Sequence, residues 1–253
     1  MKIKTYTFAI VQPAQALTVM ELHPIAHFHS PFSSKFGIPR QSGLVPSLEG
    51  TVVFASGYRN ADYLRGIEAF DYLWLVWEFS ANPHACNSPV VRPPRLGGNK
   101  RVGVFATRSP FRPNPVGISC VRLLGIDWDT PKGPVLSIGG ADLMDGTPIF
   151  DIKPYVVYAD SHPEARSGFV DDNAYKTLRV EIPTEVAALF NPTALSALRQ
   201  TLEQDPRPHY QSDSDKQYAM PFYGYDIRFA VEGKVLRVTE ARPLSKKKSG
   251  NGG

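Results

Sequence analysis

Cysteine is scarce in this chain: Cys86 and Cys120 are the two among 253 residues, and no CxxC spacing occurs. That argues against a disulfide framework or a zinc knuckle and suits a reducing compartment. No apolar run approaches the length of a membrane span. Thr5, Tyr6, Thr7 and Gln12 break up the apolar residues near the start, so no cleaved signal peptide is expected and the cytoplasm is the expected location. There is no P-loop and no glycine-rich turn between a strand and a helix, which leaves a Rossmann or P-loop nucleotide site unsupported. No internal repeat is apparent. Net charge is only +4, with a pI near 9.0, so any nucleic-acid argument must rest on local clustering.

Such clustering is present. Between Arg92 and Arg112 the chain carries six basic residues (Arg92, Arg95, Lys100, Arg101, Arg108, Arg112) and no acidic one. Pro110, Pro113 and Pro115 fix φ along this stretch. A short apolar run, Val102–Ala106, feeds the proline-rich loop and another, Ile118–Leu124, leaves it, which predicts strand, rigid cationic loop, strand. A loop with little ordering entropy left to lose suits an anionic or polar ligand. A solvated surface loop is the plainer alternative.

Elsewhere, short runs rich in β-branched and aromatic residues alternate with turn signals. Leu22–Phe32, Thr51–Ala55, Tyr72–Phe79, Val135–Leu143 and Pro148–Tyr158 read as strands. Asp145-Gly146 predicts a hairpin joining the last two, and Gly139-Gly140 a bulge or close approach. His23, His27 and His29 lack an evident further ligand and read as strand histidines, so no metal is expected. After Glu164–Asn173, a polar linker, the character changes. Leu178–Ile182 is a short strand. Asn191-Pro192 caps a helix carrying Leu195, Leu198 and Leu202, which ends near Asp205-Pro206. Glu232-Gly233-Lys234 joins a final hairpin. The predicted fold is mainly β, with a β-barrel or sandwich to about residue 160 and a small α+β C-terminal domain. Residues 1–19 are read as an extension and 244–253 as a disordered basic tail.

The runs PRQSGL (39–44), VRPPRLGGNKRVGVFATRSPFRPNPVGIS (91–119), DGTPIFDIKPYVVYAD (145–160) and DPRPHY (205–210) resemble the TrmO (YaeB, TsaA-like) tRNA methyltransferases across most of the chain. The resemblance implies a single-sheet β-barrel cofactor domain at 20–163 and a tRNA-recognising domain at 164–243. It further implies a homodimer that uses S-adenosyl-L-methionine to methylate N6 of threonylcarbamoyladenosine, in the anticodon loop of threonine tRNA. By the same resemblance, cofactor contacts fall on Arg40, Gln41, Ser42, Ser80, Ala81, Arg108, Cys120, Asp145, Gly146, Thr147 and Pro148. Ser80-Ala81 departs from the His-Gln common in relatives, and Ser42 stands where proline is common. Arg92, Arg95, Lys100, Arg101 and Arg112 are candidates for RNA phosphates, and Arg207, His209 and Tyr210 for the anticodon loop. Asp142, Asp145 and Asp151 are the local carboxylates, with no base assigned. Two alternatives stand beside this reading: a non-catalytic cofactor- or RNA-binding module, and a methyltransferase of the same fold with another acceptor.

Overall fold

Alternation decides the first strand. In AHFH, Ala26 and Phe28 are buried while His27 and His29 face outward, the period of two expected of a strand with one face on a core. A computed structural model describes residues 21–82, 88–172, 177–207 and 216–244. The expectations for residues 1–19, Cys86, His209, Tyr210 and the tail from Ser245 lie outside the described residues.

The first unit contains β1 (Ala26–His29), β2 (Glu49–Phe54), β3 (Tyr72–Glu78), the short pair β4 (Val90–Val91) and β5 (Val102–Gly103), β6 (Val116–Asp127), β7 (Val135–Gly139) and β8 (Thr147–Pro154). Six of these pair in the closed order β1-β2-β7-β6-β3-β8, with β8 returning antiparallel to β1. Closure leaves no edge strand to attract another chain. Inward residues Phe28, Val52, Leu73, Leu75, Val121, Leu136, Ile138 and Ile149 fill the interior.

Two expectations about this unit are corrected. β7 pairs with β2 and β6, and β8 with β1 and β3, so Asp145-Gly146 closes no hairpin between them. The seven residues after β7 instead cross the end of the barrel, with Ala141 and Leu143 buried in its core. The dipeptide makes its turn, but ring closure chooses the partners. Likewise Val102–Ala106 is not a barrel strand: it is the two-residue β5 followed by a 3-10 turn at Val104–Ala106, lying outside the ring. Close approach at Gly139-Gly140 does occur, since the Gly43 amide donates to the Gly140 carbonyl at 2.8 Å.

Two short helices, α1 (Val157–Asp160) and α2 (Thr184–Ala187), flank the connection and the next strand, β9 (Arg179–Glu181). Helix α3 (Pro192–Glu203) begins as expected, with the Asn191 side chain accepting from the Ala194 amide at 2.8 Å. It covers the sheet β10 (Tyr218–Phe222), β11 (Tyr225–Glu232), β12 (Val235–Pro243) and β9, in that order, where β12 pairs parallel with β9. β10 was not foreseen from the sequence.

The loop from β1 to β2 binds the two units together. Phe32, Val45 and Leu48 leave the barrel's own core and are buried with Leu198, Leu202, Met220, Phe222 and Phe229 of the second unit. Each such burial contributes roughly 2 kcal/mol. Ser47 adds hydrogen bonds to Ser196 and Gln200 of α3, both at 3.0 Å. Gly37, at φ +92°, passes so close to β10 that an added Cβ would meet the Met220 sulfur at 2.0 Å. This loop is a splint, seated in one unit and walling the other.

Candidate functional site

β1, β3 and β7 end, and β2, β6 and β8 begin, at the same rim of the barrel, so three connections converge there: 30–48, 79–115 and 140–146. They enclose a cavity of about 410 Å³, within the range of small-ligand sites. Among its lining residues are Arg40 and Gln41 from the first connection, Ser80, Ala81, Arg108 and Arg112 from the second, and Asp142 from the third. Trp77, Phe79 and Ile118 give it apolar walls.

Hydrogen bonds tie the connections across the mouth. The Arg108 guanidinium donates to Gln41 Oε1 at 2.5 Å, and the Lys35 ammonium donates to Asn82 Oδ1. Local turns stiffen the cationic stretch: Thr107 Oγ1 donates to the Val104 carbonyl and accepts from the Ser109 amide, while Ser109 Oγ accepts from the Phe111 amide.

Below the mouth runs a buried polar chain. Trp77 Nε1 donates to Ser119 Oγ at 2.9 Å, and the Ser119 hydroxyl donates to Asp142 Oδ1 at 2.5 Å. The Trp77 ring lies over Gly117, where an added Cβ would meet it at 2.5 Å. Burial pushes the Asp142 carboxyl above the usual aspartate range, against the opposing pull of Ser119, main-chain amides and the nearby Arg108 charge. A carboxyl whose pKa is raised by burial, oriented by a fixed donor in a cleft, has the character of an acid–base group. Ser119 and Trp77 were not singled out from the sequence. The available signal was a polar residue at an inward position of an otherwise apolar strand, which demands a partner.

Of the residues marked from the sequence, the cavity gathers Arg40, Gln41, Ser80, Ala81, Arg108, Thr147 and Arg112. Ser42 is next to it and its amide hydrogen-bonds Asp142. Asp145 and Gly146 are exposed beside β1, where the Asp145 carboxylate pairs with His29 Nδ1 at 3.0 Å and accepts from the Ser30 amide. Pro148 follows on β8 and is not in the lining. Cys120 alternates to the outer side of β6, between inward Ser119 and Val121. Asp151, also on β8, pairs with Lys153. Arg92, Lys100 and Arg101 are exposed, whereas the Arg95 guanidinium reaches the Val170 carbonyl at 3.3 Å. Arg207 forms a two-pronged pair with Asp205 at 2.8 and 2.9 Å. Phe105 and Phe111, passed over in the sequence, are 80% and 55% exposed on the cationic stretch.

No group of three or more potential metal ligands occurs among the described residues. Nor is any helix among them long and apolar enough to cross a membrane.

The family described as "tRNA-methyltransferase O N-terminal domain" matches residues 27–161, and "TrmO C-terminal domain" matches 176–244. The chain is 37% identical over 235 residues to the tRNA (adenine(37)-N6)-methyltransferase of Escherichia coli K12, covering 90% of this chain and all of that one. It is 38% identical over 153 residues to a protein of Pyrococcus abyssi named "Probable S-adenosyl-L-methionine-binding protein", covering 60% of this chain and 77% of that one. A crystal structure of TrmO from Pseudomonas aeruginosa superposes with a TM-score of 0.71 at 31% identity, over 89% of this chain and 99% of that one.

Proposed function

The chain belongs to the TrmO family of tRNA (adenine-N6)-methyltransferases, and on that footing we propose that it methylates N6 of threonylcarbamoyladenosine beside the anticodon of threonine tRNA. The observation that carries this reading is the rim cavity, in which a cation, apolar walls and a proton-seeking carboxyl face one space.

Those residues fit S-adenosyl-L-methionine. Arg108 offers charge-assisted donors to a carboxylate, Gln41 and the Ser80–Ala81 main chain offer polar contacts, and Trp77, Phe79 and Ile118 suit a flat apolar ring. The bound cofactor supplies a methyl group activated on a cationic sulfur. What remains for the protein is to align donor and acceptor and to exclude water. The acceptor nitrogen sheds a proton as it is alkylated; of the two carboxyl residues in the lining, Glu78 and Asp142, Asp142 is the one burial and Ser119 prepare to take it.

RNA engagement is part of the same proposal. Arg92, Lys100 and Arg101 present free charge for phosphates. Phe105 and Phe111 present ring faces on which unpaired bases can stack. The C-terminal unit, from about residue 164, completes the recognition surface. A homodimer belongs to the proposal as well, and exposed Tyr72 and Leu124 on the outer face of β3 and β6 offer it an apolar surface.

The test is mass spectrometry of nucleosides from threonine tRNA lacking the modification, incubated with the protein and S-adenosyl-L-methionine. A methyl gain on threonylcarbamoyladenosine is expected. A gain on another nucleoside, or none with cofactor binding intact, would reject this substrate and favour another acceptor or a binding module. Arg108→Ala should weaken cofactor affinity by about tenfold or more, the cost of losing a hydrogen bond from a charged group. Unchanged calorimetric binding in a folded variant would remove Arg108 from the cofactor's contacts.

A further inference from the structure

Arg40 lines the cavity, yet its guanidinium is aimed elsewhere. Nη1 donates to the Gln204 carbonyl at 2.9 Å and Nη2 to the Asp205 carbonyl at 2.8 Å. These carbonyls lie at the carboxyl end of α3, where main-chain acceptors lack helical partners and the helix dipole favours a cation. Asp205 follows in a left-handed conformation, φ +49°, and receives three hydrogen bonds from Arg207. Although burial opposes it, Arg207 holds the Asp205 carboxyl below the usual range, with Arg40 adding to the pull. On the other side, Gln41 Nε2 donates to the Arg40 carbonyl at 2.6 Å while Gln41 Oε1 accepts from Arg108. An unbroken chain of polar contacts therefore runs from the end of α3, through Arg40 and Gln41, to the cationic stretch across the mouth.

We propose that Arg40 is a positioning residue: it clamps the Asp205–Arg207 turn of the C-terminal unit to the cavity wall, so that a tRNA meets both units in one fixed arrangement. This rests on the tRNA reading above and deepens it. The fork geometry matters, because a guanidinium spans two carbonyls in a plane and an ammonium does not.

Arg40→Ala and Arg40→Lys are compared with the wild type in three measurements: calorimetric affinity for S-adenosyl-L-methionine, KM and kcat with threonine tRNA, and direct tRNA binding without cofactor. Arg40→Ala should raise KM for tRNA and weaken direct tRNA binding by about tenfold, with cofactor affinity within about twofold. Arg40→Lys should recover part of the loss. Gln204→Ala should be silent, since the acceptor there is main chain. Cofactor affinity falling in step with tRNA affinity would overturn the proposal and make Arg40 a cofactor contact. A lowered melting temperature with unchanged tRNA KM and binding would overturn it too, leaving a stabilising bond only. If the wild type binds tRNA but methylates another acceptor, the reaction above fails while the binding comparison still decides the clamp.

Discussion

Asp142→Asn should lower kcat for methyl transfer by roughly 100-fold while leaving the fold and cofactor affinity nearly intact, because a positioned acid–base group is worth about that much or more. The amide still accepts from Ser119, so the chain from Trp77 persists. What is lost is the capacity to take a proton. Stability should respond in the opposite direction. The folded protein holds the Asp142 proton to higher pH than the unfolded chain does. In the window between those two values the native state binds more protons, and its stability falls as pH rises. An asparagine does not titrate, so the variant's melting temperature at neutral pH should match or exceed the wild type's. Rapid-quench kinetics and a thermal melt on the same protein decide the matter. Full activity in the variant would remove Asp142 from the chemistry, and a large drop in melting temperature would make it structural.

A protein ending after residue 165 should keep a folded barrel and still bind S-adenosyl-L-methionine at least tenfold more weakly. The barrel has a core of its own. The connection 30–48, which supplies Arg40 and Gln41 to the cavity wall, is seated by Phe32, Val45 and Leu48 in the other unit's core. Removing that seat exposes three large apolar side chains that contribute roughly 2 kcal/mol each when buried, and the wall loses its fixed position. Ordering it on binding then costs part of the affinity. Calorimetry on the truncated protein checks this, with circular dichroism to establish that the barrel persists. Wild-type affinity would mean that the connection holds its shape without α3 and β10.

Much of the β content was legible because alternation is local: β1, β3 and β6 can be read residue by residue, as can the Asn191 cap and the final hairpin. Pairing is not local. The Asp145-Gly146 turn was visible, yet its flanking strands lie apart in the ring, because partners are fixed by closure through β1 and β2. The site divides in the same way. Arg108 and Gln41 could be marked from composition and resemblance, and the cavity brings them together. The partners of the Arg40 guanidinium could not, since they are main-chain carbonyls 164 and 165 residues away. Main-chain acceptors leave no residue-type signature. Phe105 was invisible for a related reason: an apolar residue in a short run reads as core, and its exposure follows from where β4 and β5 carry the chain.

The seating of residues 30–48 also bears on how such proteins can be recombined. A crossover at the linker near residue 165 would join a barrel to a foreign C-terminal unit whose core was shaped around a different Phe32, Val45 and Leu48. Gly37 would face a different neighbour in place of Met220, where there is no room for a Cβ. The heritable block is therefore discontinuous, residues 30–48 travelling together with 177–244. Hybrids built on that split boundary should fold where hybrids cut once at the linker do not.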